Sequence, residues 1–308
     1  MDDSEVQSHR IALGIEYDGS RFSGWQMQHH APTVQQEVQA AASRVADHPV
    51  VLHCAGRTDA GVHALAQVAH FDTPAVRTER SWVLGINAQL PPEIAIRWAR
   101  AMSADFHARF SARARHYRYL ILNSPTRSAL LARRAVWTHR PLALEPMREA
   151  GRALVGTRDF SSFRAQGCQA KSPVRTLHYL DLSRQGDLIE LAVGADGFLH
   201  HMVRNIAGVL MAIGRGDAPI GWTEQLLAQR DRTRGGVTAP PQGLYLSAVD
   251  YPEHFAVPSP NAASLTASSW PRFSGAPAFD YNSPFGRSDP LGVSDDHPAP
   301  MEPGPAGA

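Results

Sequence analysis

Apolar and polar positions alternate near the start of the chain. In "IALGIEY", Ile11, Leu13, Ile15 and Tyr17 fall on one side of an extended segment, which predicts a strand with one buried face. "DGS" then turns the chain. Thr33 and Gln36 have the spacing of a capping box, and Val34, Val38, Ala41, Ala42 and Val45 follow at helical spacing. "VVLHC" predicts a second strand, "AQVAHFD" a third, "ERSWVLGINAQL" a helix stopped by Pro91 and Pro92, and "EIAIRWARA" a fourth strand. This βαββαβ order is the split βαβ, or ferredoxin-like, unit.

The second half repeats the order. "HYRYLIL" predicts a strand and "EPMREAGRALVG" a helix closed by Gly156. "VRTLHYLDLS" and "DLIELAVGA" predict an antiparallel pair across Arg184–Gly186. Leu199, Met202, Ile206, Val209 and Ile213 predict a long helix from about Phe198 to Ile213, followed by a shorter one over Thr223–Gln229. "GLYLSAVDY" then reads as the strand that closes the sheet. The expected fold class is α/β (α+β): two ferredoxin-like halves, 10–105 and 106–252, forming one mixed, largely antiparallel sheet. Its helices lie on one side, its open face is concave, and the cleft lies where the halves meet. From Pro258 onward Pro, Ser, Ala and Gly dominate, which predicts a disordered tail over 258–308.

Composition narrows the class. With 308 residues, 43% hydrophobic and 19% charged, the chain is long enough for a sizeable core. No apolar run reaches the roughly 20 residues of a membrane helix, and "MDDSEVQSHR" lacks an apolar signal segment, so a cytoplasmic protein with no membrane partner is expected. Cys54 and Cys168 are the only cysteines, and they form no Cys-x-x-Cys pair. Paired histidines occur at His29-His30 and His200-His201, but without His-Glu-x-x-His, and no metal is expected.

The net charge of +1 hides an asymmetry. Residues 251–308 hold two Arg and six acids, which leaves 28 basic and 23 acidic residues in the first 250. Residues 97–134 carry nine Arg against one acid, Asp105. Lys171 is the only lysine, which explains the choice of Arg but not the clustering; the block reads as a polyanion-facing surface.

Between two predicted strands lies "CAGRTDAGVHA", with Arg57 and Asp59 bounded by Gly56 and Gly61. The plainest account is an Asp-x-Gly turn in which the carboxylate bonds its own backbone. The other is a shaped loop that presents a carboxylate to a substrate. In "HHMVRN", His201 and Arg204 share a helix face, whereas adjacent His200 and His201 would point about 100° apart on a helix and so make a poor metal pair; cleft-lining or hydrogen-bonding roles are expected instead.

Seven stretches in this order decide between the two accounts: "GIEYDGSRFSGWQ", "CAGRTDAGVHA", "INAQLP", "DFHARFSARARHYRYLI", "DFSSFRA", "HHMVRNIAGVLMAIGRG" and "GLYL". Over nearly all of residues 10–252 the chain resembles the tRNA pseudouridine synthase A family. The resemblance implies an isomerase that converts uridine to pseudouridine at positions 38, 39 and 40 of the tRNA anticodon stem-loop. It also implies a homodimer and the need for no cofactor. Asp59 matches the catalytic Asp, attacking either ribose C1′ or ring C6. A free Asp ionises near pH 3.9, so the nucleophile is already charged near neutrality. Arg57 either fills the space of the flipped uridine or makes a generic phosphate contact. Tyr117 matches the tyrosine that packs on the target base, although period two puts Tyr117 and Tyr119 on the same face. Leu246, with Leu244, matches the apolar wall. The loop Phe106, His107, Ala108, Arg109, Phe110 resembles an RNA-contacting loop, with Arg109 as phosphate ligand. Arg77 and the segment Gly167, Cys168, Gln169, Ala170, Lys171 correspond to further tRNA contacts.

Two other functions fit less well. A non-catalytic RNA module of the RRM type needs aromatic signature residues that are missing. A glycosidase needs a second carboxylate near the first, and a phosphotransferase needs metal ligands or a P-loop.

Overall fold

The computed structural model describes residues 8–258. β1 (His9–Tyr17) leads through α1 (Val34–Ala46) to β2 (His53–Cys54), β3 (His63–Thr73), α2 (Glu79–Asn87) and β4 (Ile94–Met102). Then come β5 (Ala114–Asn123), β6 (Val136–Thr138), α3 (Leu144–Arg152), β7 (Gly156–Asp159), β8 (Val174–Gln185) and β9 (Leu188–Ala195). The described chain ends with α4 (Met202–Gly214), α5 (Trp222–Gln229) and β10 (Leu244–Asp250). The tail expected over 258–308 lies, Pro258 apart, outside the described residues. Among the described residues no helix is long and apolar enough to cross a membrane.

Among the described residues one sheet holds all ten strands, in the order β4-β1-β3-β10-β5-β9-β8-β7, with β2 on β3 and β6 on β5. The same local order occurs twice, as β4-β1-β3-β2 and as β10-β5-β9-β8. Only β3–β10 and β5–β6 are parallel. β10, the strand expected to close the sheet, therefore lies at its centre, between β3 and β5. It joins the halves by pairing Leu246 with Ala64 of β3 on one side and with Tyr117 of β5 on the other.

The seam depends on β2 being short. The pattern "VVLHC" predicted five extended residues, yet only His53 and Cys54 pair with β3. The backbone N–H groups of Val50 and Leu52 donate instead to Ser43 Oγ and Gln39 Oε1 of α1, each at 3.1 Å. A buried N–H must find a partner, and here helix side chains supply it. One edge of β3 is thus divided. β2 takes Ala69 and His70, β10 takes His63 and Ala64, and the chain between β2 and β3 leaves the sheet at that division.

α1 begins as the capping pattern required, with Thr33 Oγ1 accepting from Gln36 N–H. α3 stops at Arg152, short of Gly156, which opens β7 with φ +94°. α4 begins at Met202, not at Phe198. His200 O is taken by Ala165 N–H at 3.0 Å, and His201 adopts the left-handed conformation at φ 61°, so the residues before Met202 form a turn.

Alternation along β5 separates the two faces of the sheet. Tyr117, Tyr119 and Ile121 join the main core together with helix residues such as Met147 and Leu210, whereas Leu120 and Leu122 form a small cluster with Tyr245 on the other face.

A test of packing arises at the sheet's first half. His70 of β3 is buried, and its Nδ1 accepts the Ala108 N–H at 3.2 Å. His53 stacks on it at 5.2 Å and His107 meets it edge-on at 4.6 Å. Burial, then the neighbouring His107, Arg10 and His53 outweigh the Asp72 carboxylate and push the His70 imidazole down to about 4. In the unfolded chain it titrates near 6.5. Below that pH the unfolded state binds the extra proton, so stability falls as pH drops from about 6.5 toward 4. The fold is expected to be roughly 2 kcal/mol less stable at pH 5 than at pH 7 through this group. Denaturant unfolding at the two pH values checks this, and His70→Asn should flatten the difference.

Candidate active site

The chain from Ala55 to Val62 is held from every side. Ala55 N–H donates to Val68 O at 2.8 Å, and Gln67 Nε2 donates to Gly56 O at 2.6 Å. The Tyr17 and Thr58 hydroxyls meet at 2.8 Å, and Thr58 O accepts from Trp25 N–H. Gly61 N–H donates to Phe22 O, and Val62 N–H closes a turn on Asp59 O. Two glycines are required here. Gly61 has φ +76°, and at Gly24, with φ +91°, a Cβ would sit 2.6 Å from Thr58 O.

The turn is made by backbone groups, and the Asp59 carboxylate is left for other partners. Arg204 Nη1 donates to Oδ2 at 3.1 Å. His200 Nε2 lies 3.4 Å from Oδ1, and His201 Nε2 lies 3.4 Å from Oδ2. All three partners come from the turn before α4 and its first helical turn, across the seam. The Asp-x-Gly account of Asp59 is therefore wrong for the side chain. His200 and His201 line the cleft, as expected, but do not point apart. They converge on one carboxylate because the left-handed backbone at His201 removes the helical offset between them. Burial lowers the His201 imidazole, with Asp59 opposing the shift. Arg204 Nε is tied to Ala239 O at 2.8 Å, so its guanidinium has a fixed direction.

Asp59, 22% exposed, lies in a cleft of about 1470 Å³. Trp25 and Gln35 near α1 wall one side, and Leu199, Met202 and Val203 the other. The cleft is lined by residues of both halves, where they were expected to meet. It opens on the helix-bearing face, because Tyr117 and Leu244, which line it, belong to the main core.

Tyr117 is nearly buried, and its ring meets Phe198 edge-on at 5.0 Å. Burial and then the Asp59 charge raise its phenol. Tyr119, on the same face, is spent on the core, its hydroxyl donating to Pro240 O at 2.7 Å. Leu246 sits beside Tyr117 in register but is 0% exposed; Leu244 is the one of the pair that reaches the cleft lining. Arg57 is exposed at the cleft and is not among the partners of Asp59.

In the loop after β4, Phe106 and Ala108 are fully buried, Phe106 packing on Tyr251 and Phe255, so their side chains offer nothing to a ligand. His107, Arg109 and Phe110 line the cleft. His107 Nδ1 accepts the N–H groups of Arg109 at 3.1 Å and Phe110 at 3.3 Å, and Phe110 is 77% exposed. Gly167, Cys168, Gln169 and Ala170 also line the cleft, whereas exposed Lys171 and Arg77 stand outside its lining. Arg164 shapes that segment by donating to the Cys168 and Ala170 carbonyls.

The Arg block does not form one surface. Arg109 and Arg115 reach the cleft, and Arg115 turns inward to the carbonyls of Ala55 and Arg109 at 3.0 and 2.7 Å. Arg97 pairs with Glu16, and Arg118 with Glu190. Strand alternation sends neighbours to opposite faces, which a count along the chain does not register.

A family model described as tRNA pseudouridine synthase matches residues 14–111 and 150–252. Proteins named tRNA pseudouridine synthase A are similar over most of their length. One from Nitrosococcus oceani is 61% identical over 81% of this chain and 96% of its own. Others from Methylococcus capsulatus, at 60% over 80% and 91%, and Pseudomonas aeruginosa, at 58% over 81% and 88%, agree. By both its matched residues and these relatives, the chain belongs to the tRNA pseudouridine synthases, isomerases that act on tRNA.

Proposed function

We propose that this enzyme isomerises uridine at positions 38, 39 and 40 of the tRNA anticodon stem-loop, with Asp59 as the nucleophile. One observation carries the reading: a half-buried carboxylate stands in a large cleft, oriented by Arg204 and free of bonds to its own backbone. Attack at ribose C1′ displaces N1, breaking the N1–C1′ bond, and holds the ribose while uracil turns; attack at C6 adds the carboxylate to the ring, after which the N1–C1′ bond breaks and the base itself is held while it turns. In either route C5 then bonds to C1′, the bond to Asp59 breaks, and the C5 proton is lost while N1 gains one. Nothing is oxidised, and no cofactor enters the balance.

Other residues take supporting parts in this reading. Tyr117 packs on the target base, and Arg57 fills the place it leaves or holds a phosphate. Leu244 supplies the apolar wall, with Leu246 behind it. Arg109, beside the exposed Phe110 ring, contacts the RNA backbone, and Gly167–Ala170 face it across the cleft. Three adjacent target positions call for recognition of shape more than of base edges. The halves 10–105 and 106–252 each contribute one wall, and the working unit is a homodimer. Incubating purified protein with an unmodified tRNA transcript, then mapping pseudouridine by position, tests the reading. Product at 38, 39 or 40 is expected; product only elsewhere overturns the assignment.

A further inference from the structure

Asp59, His200 and His201 are arranged as metal ligands are. Their donor atoms all lie within 4.8 Å of one another, and among the described residues no other group of three His, Cys, Asp or Glu side chains does this. Each histidine Nε2 stands 3.4 Å from a different oxygen of the same carboxylate. In a tetrahedral zinc site, with metal–ligand distances of about 2.0–2.1 Å, neighbouring donors are about 3.3 Å apart. Each histidine nitrogen thus already stands at about that distance from one oxygen of Asp59. The two imidazole rings lie 4.0 Å apart, centroid to centroid, on a backbone turn that brings both to the same carboxylate. Nitrogen and carboxylate donors suit zinc and its first-row neighbours more than magnesium or calcium. The group also faces the cleft, with side-chain exposures of 46% for His200, 29% for His201 and 22% for Asp59, so an ion can enter. Arg204 competes for Oδ2 and holds affinity below that of a structural zinc site.

We propose that Asp59, His200 and His201 form a three-residue site for a divalent transition metal of the zinc class, and that an ion held there blocks the enzyme. The reaction gains nothing from the ion, because the oxygens it takes are those needed for attack. Metal binding stands on the geometry alone, whereas the blocking rests on Asp59 being the nucleophile. The full chain is titrated with cobalt(II) and read by its visible absorption, then with zinc and read by pseudouridine formation. Expected are one cobalt bound with a tetrahedral spectrum, loss of turnover at equimolar zinc in excess over tRNA, and recovery on adding EDTA. His200→Ala and His201→Asn should each weaken cobalt binding more than about tenfold, and asparagine tolerates the left-handed backbone at 201. A cobalt spectrum unchanged in both variants, or absent from the parent chain, overturns the site. A normal spectrum with undiminished turnover under saturating zinc leaves the site standing and overturns the blocking, and with it the role of Asp59.

Discussion

Asp59→Ala is expected to abolish pseudouridine formation while tRNA still binds. The carboxylate supplies the only bond by which the enzyme holds the nucleoside during rearrangement in the proposed mechanism, so turnover should fall by about 10⁴-fold or more. Binding should change little, because phosphate contacts come from other side chains. Removing a negative charge from a cleft that receives a polyanion tightens binding slightly if anything. Folding should survive, since the Ala55–Val62 loop is held by backbone groups and by Gln67, Tyr17 and Trp25. Three measurements separate the outcomes: product formation, tRNA affinity by filter binding, and the melting temperature. A variant that binds, folds and still turns over would remove Asp59 from the mechanism. A variant that unfolds would return it to a structural part.

Arg204→Met should have the next largest effect. Its guanidinium bridges two elements, with Nε on Ala239 O and Nη1 on Asp59 Oδ2. Loss of the fork leaves the carboxylate without its direction, and a displacement of about 1 Å in a reacting group costs on the order of 10²-fold in rate. The loss should appear in kcat with KM nearly unchanged, because the hydrogen bonds of Arg204 go to Ala239 and Asp59. Stability should fall as well, by about 1.5–3 kcal/mol for a charge-assisted bond. Arg204→Lys should rescue little, since one ammonium on a flexible stem cannot meet Ala239 and Asp59 together. Steady-state kinetics on a tRNA transcript check this. A raised KM with kcat intact would instead make Arg204 a tRNA ligand.

Much of the fold is legible in local pattern. The Thr33 cap, the β8–β9 hairpin and the alternation in β1 are set by neighbours in sequence, so side-chain period and capping chemistry suffice to read them. What went unread involves partners that no helix or strand period specifies. β2 is cut to two residues because Ser43 and Gln39 of α1 capture the N–H groups of Val50 and Leu52. Phe106 and Ala108 belong to a loop that resembles an RNA contact, yet they are core. No local pattern distinguishes a loop apolar residue that meets Tyr251 and Phe255 from one that meets a ligand.

The candidate site divides in the same way. Sequence alone determined the family, the Gly-bounded loop with Asp59, and the repeated βαββαβ order, because motifs, turn glycines and side-chain period are each written in local stretches of residues. Only the tertiary structure decided what Asp59 faces. His200, His201 and Arg204 lie more than a hundred positions away, and they arrive through a left-handed turn at His201 and a last strand inserted at the centre of the sheet. Coulomb attraction and hydrogen bonding act through space over a few ångströms, so which charges meet is settled by the packing of the two halves and not by any spacing along the chain.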